Sequence, residues 1–205
     1  TLFRSVRHEM MHRFGYYITE SSEHTSEYLP YFIKNTHPEL IERYNIPLDE
    51  YPRRCINQIA DWNQRRETLV SENKLEHIRT HEYASYIIEA ILYNKVYKLG
   101  GNVLNHGLIT NLPSDACVEV PCLVDASGIQ PVMIGDLPPQ LAALNRTNIN
   151  PQLLTIEAAL TGKKEHIYHA AMLDPHTAAE LTIDEIIAMC DELIEAHGSW
   201  LPAYR

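Results

Sequence analysis

Glycine is scarce in this sequence and never arranged to hold a phosphate: there are eight glycines in 205 residues and no G-x-G-x-x-G. That pattern lets backbone close on a pyrophosphate at a helix N-terminus, so its absence excludes a dinucleotide-binding turn from this stretch of chain. Cysteine is equally sparse. Cys55, Cys117, Cys122 and Cys190 show no C-x-x-C spacing, which argues against a zinc ribbon or a thioredoxin-like pair and leaves buried or half-buried thiols in a reducing compartment as the expectation. Basic residues are few, with 17 Lys and Arg against 27 Asp and Glu and a formal net charge of −10. Polyphosphates and anionic lipids are bound through clustered cations, and the doubled ones here, Arg53–Arg54 and Arg65–Arg66, fall in an amphipathic pattern. No nucleic-acid or membrane partner is expected. No apolar run approaches the ~18 residues of a membrane span, and no charged-then-apolar leader is followed by a cleavage site, so a cytoplasmic location is expected.

What is present is the composition of an ordinary globular chain, 45% hydrophobic and 21% charged, long enough to bury a sizeable core. A single domain over 1–205 is expected. The chain opens on Thr1 in mid-helix pattern, which points to a piece of something longer. Leu2, Phe3, Val6, Met10, Met11 and Phe14 recur at helical spacing up to a stop at Gly15. "YYIT" reads as a short extended piece, "ESSEH" as a turn or cap, and "TSEYLPYF" as a helical segment interrupted at Pro30. Pro38 suits a first helical turn. From Pro47 to Asn73 a long amphipathic helix is predicted, with Cys55, Ile59, Trp62 and Leu69 on one side. A polar break at "SENKLEH" precedes another helix, closed by Gly100 and Gly101. Three extended segments follow, 102–113, 116–125 and 129–135, bounded by Gly, Pro, Asn and Asp. Helices return at 138–162, 163–174 and 182–197, the last opening with Thr182 and Glu185 in capping-box spacing and stopping before Gly198. The predicted fold class is α+β, mostly helical with a small central β insert.

Two stretches near the start concentrate chemistry. In "HEMMH", His8 and His12 share one helix face and could hold zinc, with Glu9 beside a metal-bound water as general base. Gly15 extends the match to H-E-x-x-H-x-x-G, but the next ligand position is Ile18, whose aliphatic side chain cannot bind zinc. The bland alternative is a solvated helix face. The second stretch, "FGYYITESSEH", gathers Tyr16, Tyr17, Thr19, Glu20, Ser21, Ser22, Glu23 and His24 at an element boundary. Such a set suits a sugar, which is held by many directional hydrogen bonds. Helix capping uses the same residue types.

The runs "RFGYYITESSEHTSEYLPYF" and "NHGLITNLPSDACVEVPCLVD" together resemble the α-galactosidase (melibiase) branch of glycoside hydrolase family 4, in matching order from about Arg4 to Tyr204. The resemblance implies the C-terminal part of such an enzyme, with a fold like the second domain of lactate and malate dehydrogenases, carrying substrate contacts and much of a subunit interface. It implies an enzyme that needs NAD and a divalent metal, usually manganese, and hydrolyses α-galactosides without the usual carboxylate pair. In that scheme hydride leaves C3, a base takes the C2 proton, the glycosidic bond breaks by elimination, water adds and the hydride returns. The residues it implies are Tyr17 or Tyr16 as the C2 base and His24, Glu20, Ser21 and Ser22 around the sugar, with Asn105 and Asn111 on a loop near the site or a neighbouring subunit. Asn105 and Asn111 read equally well as turn formers beside Gly107 and Pro113. The family's Gly-rich loop and its Cys and His metal ligands belong to upstream segments, so this chain by itself is expected to bind neither group and to be inactive. A homo-oligomer, dimer or tetramer, is expected. A free-standing sugar-binding module and an HExxH zinc peptidase are the alternatives.

Overall fold

In the computed structural model, residues 5–72 and 78–205 are described. Leu2 and Phe3 of the predicted first helix, and most of the predicted "SENKLEH" break, lie outside the described residues. Helix α1 (Val6–Phe14) starts where Ser5 accepts from the His8 amide and ends at Gly15, whose φ of 83° lets its N–H reach the Met11 carbonyl. Val6 and Met10 are buried on its inner side. The 16–19 segment joins no sheet, and α2 (Ser22–Tyr28) follows, capped by Ser21 and ended before Pro30. Next come α3 (Glu39–Tyr44), α4 (Glu50–Glu72) and α5 (Ala84–Tyr93). Strands β1 (Tyr97–Leu104), β2 (Cys117–Asp125) and β3 (Gly128–Pro131) form a sheet in that order. The chain closes with α6 (Pro139–Thr161), α7 (Lys164–Leu173), α8 (Pro175–Glu180), α9 (Ile183–His197) and a 3-10 turn at Gly198–Trp200. Among the described residues the molecule is helix-rich with one small central sheet, as the sequence predicts.

Several boundaries differ from the expectation, each for a local reason. The helix predicted to run to Gly100 stops at Asn94, which takes the left-handed conformation at φ 52° and caps Ala90. Gly100 and Gly101 instead lie inside β1, where a Cβ would stand 2.8 Å from Glu119 Oε1 and from Cys122 Sγ respectively. These glycines admit the neighbouring strand; they do not end a helix. The predicted extended segment at 102–113 is strand only to Leu104, because Asn105 folds the remainder into a loop. The third segment is strand only to Pro131. Helix α8 was not predicted, although Asp174 caps it by accepting from the Thr177 amide at 2.8 Å and Pro175 occupies its first turn. Cys117 is exposed rather than buried, since it falls on the outer side of β2.

The chain divides into two compact units. The first comprises Thr1–Ile46, Lys98–Leu123 and Ile129–Arg205, and the second Pro47–Tyr97 with Val124–Gly128. The first unit holds two apolar clusters. One gathers Val118, Val120 and Cys122 from the inner side of β2 with Ile109, Leu112, Ala142 and Ile149. The other gathers Val6 and Met10 with Leu29, Phe32, Tyr44 and Ile46. Lys34 Nζ and the Asn35 amide both meet the Glu180 carboxylate, at 2.7 and 3.0 Å, joining the start of the chain to α8. In the second unit the Arg79 guanidinium lies 3.8 Å from the Tyr86 ring centre and 2.7 Å from Glu89, while Tyr86 stacks on Tyr97 at 5.4 Å.

Candidate active site

The turn from α1 to α2 is held from below by Arg7. Its Nε donates to the Ile18 carbonyl at 2.9 Å, and its guanidinium lies 4.4 Å from the centre of the Tyr17 ring. The His8 ring meets Tyr17 edge-on at 5.6 Å, while its Nδ1 is 2.7 Å from Ser5 Oγ. Glu9 is paired with Arg13 at 2.9 Å, and His12 faces solvent. The three polar residues of HEMMH are thus distributed among a cap, an aromatic contact, an ion pair and water. Among the described residues no three His, Cys, Asp or Glu side chains are grouped to hold a metal.

The second stretch combines both readings of its residues. Ser21 is the N-cap of α2, accepting from the His24 amide at 3.1 Å. Glu20 Oε1 accepts from the Ser21 amide at 2.7 Å and lies 3.1 Å from His24 Nδ1. The Ser21 amide, and next the His24 hydrogen bond, hold the Glu20 carboxyl below its ordinary value. Ser22 begins α2, and the His24 ring lies 6.2 Å from that of Tyr28.

Beside this turn is a hollow of about 450 Å3 within the first unit. Tyr16, Tyr17, Thr19 and Glu20 line one wall, with Thr25 and Tyr28 from α2. Asn145, Asn148 and Gln152, on α6, line the other. Met10, Leu29, Leu137, Leu141 and Leu144 supply apolar surface. Apolar surface with a few convergent polar groups is the usual character of a small-molecule site. Tyr16, Tyr17 and Glu20 therefore come together in the hollow, whereas Ser21, Ser22 and His24 do not line it; Ser21 and His24 hold the Glu20 carboxylate that does. Asn105 lies elsewhere: it has no exposed surface, its Nδ2 donates to the carbonyls of Ile109, Leu112 and Pro113, and its Oδ1 accepts from the Ile109 amide. With every hydrogen-bonding group of its side chain occupied, it serves as a loop clamp. Asn111 exchanges two hydrogen bonds with the backbone of Leu137, at 2.8 and 3.0 Å, and so sets one edge of the hollow indirectly. Sequence reasoning missed Arg7 and the α6 carboxamides. The 3–4 spacing of Asn145, Asn148 and Gln152 placed them on one helix face, but nothing in it showed which loop that face would meet.

A helix-rich domain with a tyrosine- and carboxamide-lined hollow and no cofactor loop of its own is the class of protein defined so far. The chain belongs to glycosyl hydrolase family 4: the model of the family's C-terminal domain, "Family 4 glycosyl hydrolase C-terminal domain", matches residues 3–177. It is 62% identical over 200 residues to an alpha-galactosidase of Bacillus subtilis, covering 98% of this chain and 46% of that protein. An alpha-galactosidase of Rhizobium meliloti is 36% identical over 210 residues, covering 97% of this chain and 42% of that protein. A crystal structure of a 6-phospho-alpha-glucosidase from gut microorganisms, in complex with NAD and Mn2+, superposes over 98% of this chain and 44% of its own with a TM-score of 0.74 at 18% identity, which shows a common fold. The chain spans about half the length of the curated relatives it matches.

Proposed function

We propose that this chain is the C-terminal, sugar-facing domain of an NAD- and divalent-metal-dependent α-galactosidase, acting in the cytoplasm as a homo-oligomer. The observation that carries the reading is the hollow at the α1–α2 turn, in a chain 62% identical to an alpha-galactosidase. A galactoside presents hydroxyls on most of its carbons and an apolar face, and the hollow offers tyrosine, threonine, carboxylate and carboxamide groups over aliphatic side chains. The residues described in this chain do not fit either cofactor alone: they bring together no set of three metal donors, and the sequence has no phosphate loop. Both groups are assigned to the part of the protein that this chain does not contain.

Of the two tyrosines, Tyr17 is the better base for the proton at C2. The Arg7 guanidinium and the edge-on His8 ring both pack on its ring, and a base acts well when held within hydrogen-bond reach of its proton. Glu20, aligned by Ser21 and His24, accepts hydrogen bonds from sugar hydroxyls. The test is Tyr17→Phe in the full-length protein, assayed on an aryl α-galactoside. A fall in kcat of roughly 100-fold or more is expected, with a much smaller effect of Tyr16→Phe. Retention of more than about a third of the activity by Tyr17→Phe would reject the assignment.

A further inference from the structure

Helix α4 is 23 residues long and buries nothing. Its apolar side chains recur at Cys55, Ile59, Trp62 and Leu69, with Ile56 and Val70 beside them, so that one stripe runs along the helix. Ile59 and Trp62 are 64% and 61% exposed. Gln58, Asp61, Gln64, Arg65 and Thr68 of the same helix flank the stripe. Helices of this kind owe their stability mostly to burial of an apolar face, and α4 leaves that face open to water.

We propose that α4 pairs with α4 of a second copy of this chain, antiparallel across a two-fold axis near Asp61 and Trp62. Area is the first argument. The stripe runs along a helix ~35 Å long, and Tyr51, Ile56, Ile59, Trp62, Leu69 and Val70 expose apolar area on the order of the ~800 Å2 that each partner gives to a standard interface. Charge is the second. The chain as a whole carries −10 and repels its copies, whereas α4 carries four arginines against four carboxylates and is neutral. Direction follows from the helix dipoles: an antiparallel pair sets the N-terminus of one helix beside the C-terminus of the other, and a parallel pair sets like ends together. A two-fold pair also buries the same stripe twice and brings Trp62, one residue from the helix midpoint, against its mate. This rests on the homo-oligomeric part of the function proposed above and is independent of the sugar chemistry.

Sedimentation velocity on the 205-residue chain tests it. The expected species has about twice the monomer mass of 23.5 kDa, and Trp62→Glu raises the dimer dissociation constant at least about 100-fold without loss of helical circular dichroism. In a separate arm, Trp62→Cys is oxidised to a cross-linked dimer. The native Cys55 pair does not cross-link, since antiparallel helices hold those residues roughly 20 Å apart, beyond the reach of a disulfide. A wild-type chain that stays monomeric at about 100 μM overturns both the homo-oligomer and this pairing. A dimer that survives Trp62→Glu, or that cross-links through Cys55 and not through Trp62→Cys, overturns the α4 pairing alone. So does a full-length protein whose assembly ignores Trp62→Glu because its upstream half covers α4.

Discussion

Thr25 lines the hollow and is 4% exposed, and its hydroxyl has no hydrogen-bond partner among the described residues. Removing an unpaired buried hydroxyl while keeping the shape should help the fold, so Thr25→Val is expected to stabilise the chain by about 1 kcal/mol, read from the urea midpoint. Asn105 is the opposite case. Asn105→Ala strips four hydrogen bonds from the 105–113 loop and leaves buried backbone groups unpaired, at a cost of about 3 kcal/mol or more in the same measurement. Glu20 sets a pH dependence. Its folded pKa is depressed below the ordinary 4.5, first by the Ser21 amide and then by His24, so its contribution is fully present above 4.5 and is lost as pH falls through the lower folded value. The Ser21 amide resonance should therefore titrate with a midpoint below 4.5. At this scale the sequence was legible in part. "TESSEH" announced either a cap or a polar site, and it is a cap whose carboxylate also lines the hollow. "NHG" read as a turn, but the four hydrogen bonds of Asn105 depend on a backbone path that spacing does not reveal.

Among the elements, α9 follows its sequence most directly. Thr182 accepts from the Glu185 amide while Glu185 accepts from the Thr182 amide at 2.7 Å, the reciprocal box that their spacing predicts. Thr182→Ala should cost about 1 kcal/mol of stability, seen as a lower urea midpoint. Helix signals of this type are local, which is why α1, α4, α6, α7 and α9 were all readable. Strand β1 was not. Its Gly100–Gly101 pair resembled a helix stop, and the reason for glycine there is the side chains of Glu119 and Cys122 on another strand. Gly101→Ala would set a Cβ against the Cys122 sulfur and is expected to destabilise the chain, lowering its melting temperature by several degrees. A substitution tolerated without change would show that the two strands can separate there at little cost.

At the scale of the whole molecule, the Lys34–Glu180 pair and the Asn35 amide join residues 146 and 145 positions apart. Glu180→Gln should lower the melting temperature and remove part of the acid sensitivity, because Lys34 first and the Asn35 amide next depress the Glu180 pKa. The purified 205-residue chain is expected to show no NAD-dependent hydrolysis of an aryl α-galactoside. Measurable NAD-stimulated turnover by it would overturn the proposed assignment of both cofactors to residues outside this chain. Most of the helices, the caps at Gly15 and Thr182, the extended run at 116–125 and the family were legible in the sequence, since each rests on neighbours in the chain or on matching runs in order. Only the tertiary structure decided that Tyr16, Tyr17 and Glu20 face Asn145, Asn148 and Gln152 across a hollow, that Asn105 is a clamp, and that α4 stands with its apolar stripe open. The hollow depends on which surfaces meet over separations of more than a hundred residues, and the clamp on the backbone path of the 105–113 loop, and no periodicity carries either.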